Sequence, residues 1–156
     1  MRRALVLGVA WLAASAALAQ TRALIPGGSR AHAGVVELLG DGAARELRVQ
    51  SGGNLDVAAM RLGPECRGFA TERPDAIVRL AAPGRRLTFY VRATTGDVTL
   101  VVHTPDGRWL CDDDGAGGTN PRLEVTAPLA GQYDVWVGGW RADQVLATRL
   151  HVTPTP

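Results

Sequence analysis

From residue 46 onward, apolar side chains recur at every second position in short runs, and Gly, Pro or Asp separates each run from the next. The runs fall at 46–50, 66–71, 76–80, 86–92, 98–103, 108–111, 122–126, 133–137 and 144–152. Within 86–92, Leu87, Phe89 and Val91 take one phase and Thr88, Tyr90 and Arg92 the other. Val98, Leu100 and Val102 share a face in the next run. In 133–137, Tyr133, Val135 and Val137 oppose Asp134 and Trp136. Residues 56–62 read equally as a short strand or a helical turn. Helix-length amphipathic stretches are scarce. Eight to ten short strands divided by turn residues predict an all-β fold, an antiparallel β-sandwich with one face of each strand on the core and the other on water. A jelly-roll-like version is the first expectation, with a closed barrel as the alternative.

The N-terminus follows a different logic. Arg2 and Arg3 precede an apolar run over 4–16, and Ala17-Leu18-Ala19 forms a small-x-small cleavage site, so residues 1–19 are expected to be a signal peptide. The run is shorter than the roughly 20 residues that a bilayer span needs. A single domain is expected after cleavage, exported to the periplasm or the medium and without a membrane span. Residues 20–45, which include Pro26-Gly27-Gly28-Ser29, read as a flexible N-terminal segment, 46–152 as the sandwich and 153–156 as a tail.

Removing the leader changes the charge. Two of the seventeen arginines lie in it, leaving fifteen against fifteen acidic residues, so the formal charge of +2 falls to zero and nothing in that balance points to nucleic acid. Cys66 and Cys111, both in the exported part, default to one disulfide, with two separate buried thiols as the alternative. A bridge closing the 44 intervening residues would add about 4 kcal/mol by loop-closure entropy.

Candidate chemistry is sparse. After the leader the only serines are Ser29 and Ser51, and the histidines are His32, His103 and His151; no Gly-x-Ser-x-Gly or His-Glu-x-x-His motif occurs. His103 and His151 fall on the outward phase of their strands and read as exposed. Asp112, Asp113 and Asp114 stand together in a loop made pliant by Gly115, Gly117 and Gly118, with Asp106 and Asn120 near in sequence. Calcium wants six to eight oxygen ligands held by such a backbone, so these five residues are candidate calcium ligands. A solvated loop whose aspartates cap turns is the competing reading. Trp109, Trp136 and Trp140 are candidate platforms for a sugar or peptide ligand, or else flank packing of the sandwich.

The segments Asp97-Val-Thr-Leu-Val-Val, Pro105-Asp106-Gly107-Arg-Trp109, Cys111-Asp-Asp-Asp114, Asn120-Pro121 and Gly131-Gln-Tyr133-Asp-Val-Trp136-Val-Gly138, with Cys66-Arg-Gly68-Phe69 and Pro74-Asp75 upstream, resemble the bacterial pre-peptidase C-terminal domain over about residues 46–152. The resemblance implies a secreted β-sandwich that accompanies exported enzymes and aids their secretion, folding or attachment to substrate, related members of which bind calcium and collagen. It implies a non-enzymatic module for polymer, protein (or polysaccharide) or cell-surface ligands. The residues ahead of the module carry no peptidase motif, so a peptidase label is expected to come from association. A secreted serine-peptidase-associated protein and a purely structural envelope protein are the alternatives.

Overall fold

The computed structural model describes residues 22–39 and 42–155. They build an all-β sandwich of two packed sheets. The strands in chain order are β1 (Gly34–Leu38), β2 (Arg45–Ser51), β3 (Leu55–Asp56), β4 (Phe69–Ala70), β5 (Ala76–Leu80), β6 (Arg86–Ala93), β7 (Val98–His103), β8 (Trp109–Asp112), β9 (Arg122–Thr126), β10 (Gly131–Gly139) and β11 (Leu146–Thr155), with one 3-10 turn at Ala58–Met60. The ambiguous stretch from residue 56 therefore holds both the end of a strand and a turn.

The smaller sheet has the order β2-β11-β6-β9, antiparallel throughout. The larger sheet centres on β10, with β7 and then β8 on one flank. On its other flank β10 meets β5 over Gly131–Val135 and β4 only at Gly139. β1 lies outside β5 and runs parallel to it, a departure from the expected antiparallel pairing.

Leu87, Phe89 and Val91 of β6, Leu150 and Val152 of β11, Val98, Leu100 and Val102 of β7, and Tyr133, Val135 and Val137 of β10 meet between the sheets. These are the phases that alternation selects. The opposite phase of the central strands is also buried. Val101 and Trp136 pack with Leu24, Leu55, Val57, Cys66 and Ala70 in a second core on the outer face of the larger sheet. Residues 55–66 form its cover, and the Cys66–Cys111 disulfide (Cα–Cα 4.9 Å) ties that cover to β8. The expected bridge is therefore present, and it fastens a layer that alternation does not reveal.

The segment expected to be a flexible leader is partly built into the fold. Beyond supplying β1, it buries Leu24, and the Ile25 N–H donates to the Glu72 carbonyl at 2.9 Å. Further along, the Gly27 N–H donates to Asp134 Oδ2 at 2.8 Å. The expected signal peptide lies outside the described residues.

Candidate functional site

The site originates in a gap in the larger sheet. β5 leaves β10 after the Ala76–Val135 pair, and β4 joins only at Gly139, so Val137 has no strand partner on that flank. A buried backbone amide left unpaired costs free energy comparable to a lost hydrogen bond, so both of its polar groups need substitutes. Asp75, immediately before β5, supplies one: its own N–H donates to the Val135 carbonyl at 2.8 Å, and its Oδ2 accepts the Val137 N–H at 2.8 Å. Gly52, just after β2, supplies the other by donating its N–H to the Val137 carbonyl at 2.9 Å.

Only glycine fits at the crossing. Gly52 has φ +103°, and a Cβ there would sit 1.7 Å from the Gln144 carbonyl oxygen. A Cβ on Gly53 would lie 2.1 Å from the Ala70 carbonyl carbon. The Ser51-Gly52-Gly53 turn can therefore press against β10 and β4 and bring the end of β2 beside Asp75.

Beside this crossing lies an open cleft of about 440 Å³, with Asp75, Ser51, Gly52 and Gly53 among its walls and the exposed His32 and Arg48 at its rim. Asp75 and Ser51 are each only 2% exposed. Burial pushes the Asp75 carboxyl up to about 7, against the lowering effect of the Val137 N–H. Among the described residues no ion pair and no donor to Oδ1 compensates it. The Ser51 hydroxyl is buried and has no hydrogen-bond partner. Two buried polar side chains with unused capacity border the same space, where native interiors normally satisfy such groups.

Serine, histidine and aspartate thus share one cleft, but they are not linked as a nucleophile, base and orienting acid. The contact from His32 is its backbone N–H to the Pro74 carbonyl at 3.0 Å, and Ser51 Oγ has no base beside it. The three residues become neighbours only because the segment leading into β1 lies against Pro74 and Asp75. In the sequence Asp75 stands only in the Pro74-Asp75 pair ahead of a predicted strand, and its burial was missed. A carboxylate directly preceding the unbroken apolar run Ala76-Ile77-Val78 was the available signal.

The residues considered for calcium sit in different settings. Asp112 Oδ2 accepts the N–H groups of Gly115 and Arg122, both at 2.7 Å, and so closes its own loop. Asp113 faces Arg67 Nε at 3.8 Å. Asp106 lies in the turn at the other end of β8, where Arg108 Nε donates to it at 2.7 Å and the Thr104 hydroxyl also donates. Asn120 Oδ1 accepts the Ala93 N–H at 2.9 Å. Burial first, then Asp114 and Asp113, raises the Asp97 carboxyl. Among the described residues no group of three or more His, Cys, Asp or Glu side chains is placed to hold a metal ion.

Trp136 must be withdrawn as a ligand platform. It is fully buried in the second core, 5.5 Å from the Trp109 ring, because residues 55–66 cover the face that alternation marks as outward. Trp109 is half-buried against His103, ring centres 4.6 Å apart, and Trp140 is 40% exposed. The two strand histidines are not fully exposed either. His103 Nδ1 lies 4.0 Å from Asp134 Oδ2, and His151 stacks on Tyr90 at 4.3 Å.

No family model matches the chain, and no curated protein matches it. Among solved structures it is similar to PliG from Aeromonas hydrophila, a periplasmic lysozyme inhibitor of g-type lysozyme. The likeness has a TM-score of 0.45 and 14% identity, covering 76% of this chain and 94% of that one. A likeness this distant does not carry that protein's target across.

Proposed function

We propose that this chain is an exported, non-catalytic β-sandwich module of the pre-peptidase C-terminal type that binds a small polar group in the Asp75 cleft. One observation carries the reading: two buried polar side chains, Asp75 and Ser51, line an open cleft with hydrogen-bonding capacity that the fold does not use. A cleft of this size suits a small ligand, and a few convergent polar groups in a formed pocket are what orient one. The Cys66–Cys111 disulfide supports an oxidising compartment. Among the described residues no helix is long and apolar enough to cross a membrane.

A catalytic reading would need Ser51 activated by a base, and its hydroxyl is buried without one. Calcium is no part of this reading, since among the described residues no group of three or more His, Cys, Asp or Glu side chains is placed to hold a metal ion.

The test is a screen of small polar fragments by 1H–15N spectroscopy on the mature protein, run beside a fluorophosphonate labelling assay. Binders should move the amides of Ser51, Gly52, Gly53 and Asp75 and lose affinity in Ser51→Ala, with no labelling of Ser51. A screen in which no fragment moves those amides contradicts the binding reading, and covalent labelling of Ser51 contradicts the non-catalytic one.

A further inference from the structure

Resting on the cleft as a binding site, we propose that its ligand is a small molecule carrying a cationic nitrogen, an ammonium or guanidinium, with the Asp75 carboxylate as counter-ion and Ser51 Oγ accepting a second N–H. Three observations select this class.

The unused groups at depth can both accept. Oδ1 of Asp75 has no donor among the described residues, and Ser51 Oγ has no partner at all. A donor-rich group with three or more N–H directions meets both at once, and a charged one also compensates the carboxylate, which a neutral hydroxyl does not. An anion would instead be placed against a carboxylate with no compensating cation at its side.

The walls also argue against a neutral sugar. Phe89, Tyr133 and Trp136 are in the two cores, and neither Trp109 nor Trp140 lines the cleft, leaving the His32 ring at the rim as its one aromatic group. A pyranose face would find no indole or phenol to stack on. The carboxylate is the strongest recognition element present.

Finally, buried carboxylates are usually paired, and the partner is absent from the described part of this chain. The Val137 N–H stabilises one oxygen and leaves the charge otherwise uncompensated. A bound cation would supply what the fold omits. The other charged or titratable side chains lining the cleft are His32 and Arg48, both exposed at the rim, where solvent and salt screen them. Because burial alone holds the Asp75 carboxyl near 7, the cation competes with a proton. Binding should tighten by up to about tenfold per pH unit below 7 and level off above it.

The experiment titrates mature protein with agmatine and putrescine, and with 1,4-butanediol and glucose as uncharged controls, following the same four amides and the calorimetric affinity. Agmatine and putrescine should move the amides of Ser51, Gly52, Gly53 and Asp75, the controls should not, and affinity should be higher at pH 8 than at pH 6 by up to about tenfold. Asp75→Asn keeps a carbonyl for the Val137 N–H and should lose the cations; Ser51→Ala should weaken them. If glucose or butanediol moves those amides as strongly as the cations, or if Asp75→Asn binds agmatine unchanged, the cationic ligand is overturned while the cleft remains a binding site. If none of the four probes moves the amides, the cationic ligand is overturned, and the polar-fragment screen separately decides the cleft.

Discussion

Replacing Asp75 by Asn should make the protein more stable at alkaline pH while leaving it nearly unchanged in acid. In the folded chain the carboxyl is held near 7 by burial, against a usual 3.8. Between those values the native state keeps a proton that the unfolded chain has released. Stability from this group is therefore fully present below about pH 4 and is lost as pH rises through about 7. Each unit of displacement corresponds to about 1.4 kcal/mol, so a displacement of roughly three units amounts to about 4 kcal/mol of destabilisation once Asp75 is ionised. The asparagine side chain still offers a carbonyl to the Val137 N–H at the gap in the larger sheet, but it carries no charge. The variant should match wild type near pH 4 and exceed it by about 4 kcal/mol near pH 9, a gap in Tm of roughly 10–15 °C for a domain of this size. Urea and thermal unfolding of both proteins across that range measure it. Other titrating groups, such as Glu46 lowered by its hydrogen bond to Arg149 and His151 lowered by burial, cancel in the difference. Parallel pH curves for the two proteins would refute the reasoning, because they would mean that Asp75 titrates alike in folded and unfolded chains.

Cys66→Ser with Cys111→Ser should cost about 4 kcal/mol in urea unfolding, and it should expose Trp136 and Trp109 to acrylamide by releasing the cover over the second core. Trp136→Ala should destabilise by about 3–5 kcal/mol, the range for emptying a buried aromatic site; a loss under 1 kcal/mol would show that the ring is not in that core. Gly52→Ala should destabilise by about 3 kcal/mol through overpacking against the Gln144 carbonyl and should raise hydrogen exchange at Val137. Unchanged stability and exchange would mean that the crossing is looser than drawn.

Much of the sandwich is legible in the sequence because its inner faces follow strict alternation. The expected runs 76–80, 98–103 and 122–126 coincide with β5, β7 and β9, and 86–92 falls one residue short of β6. β1 escaped because its five residues follow a Gly- and Pro-rich stretch and pair in parallel with a strand distant in sequence. Two-sided burial, open for Trp136 as flank packing, escaped for Val101 for a related reason. Val101 and Trp136 occupy the phase that faces water in a simple sandwich, and what covers them is the weakly periodic segment 55–66. The disulfide was readable from compartment and count alone, whereas its role as a clasp on that segment was not.

The cleft was the least legible feature. Ser51 was visible as a turn residue and as a nucleophile without a motif, and Asp75 as the residue after a proline. Their meeting depends on a break between β5 and β4 along one flank of β10, a long-range property that no local pattern encodes. The acidic loop drew attention through composition, yet Asp112 is spent on its own backbone. Composition located carboxylates, and topology decided that Asp75, outside that loop, would border the cleft.

The proposed site is tested most directly by following the side-chain carboxyl carbon of Asp75 by 13C NMR as pH is varied, with and without saturating agmatine. A midpoint near 7 in the free protein, moving downward when agmatine is added, is the expected outcome. A midpoint near the usual 3.8, or one near 7 that agmatine leaves in place, would contradict it.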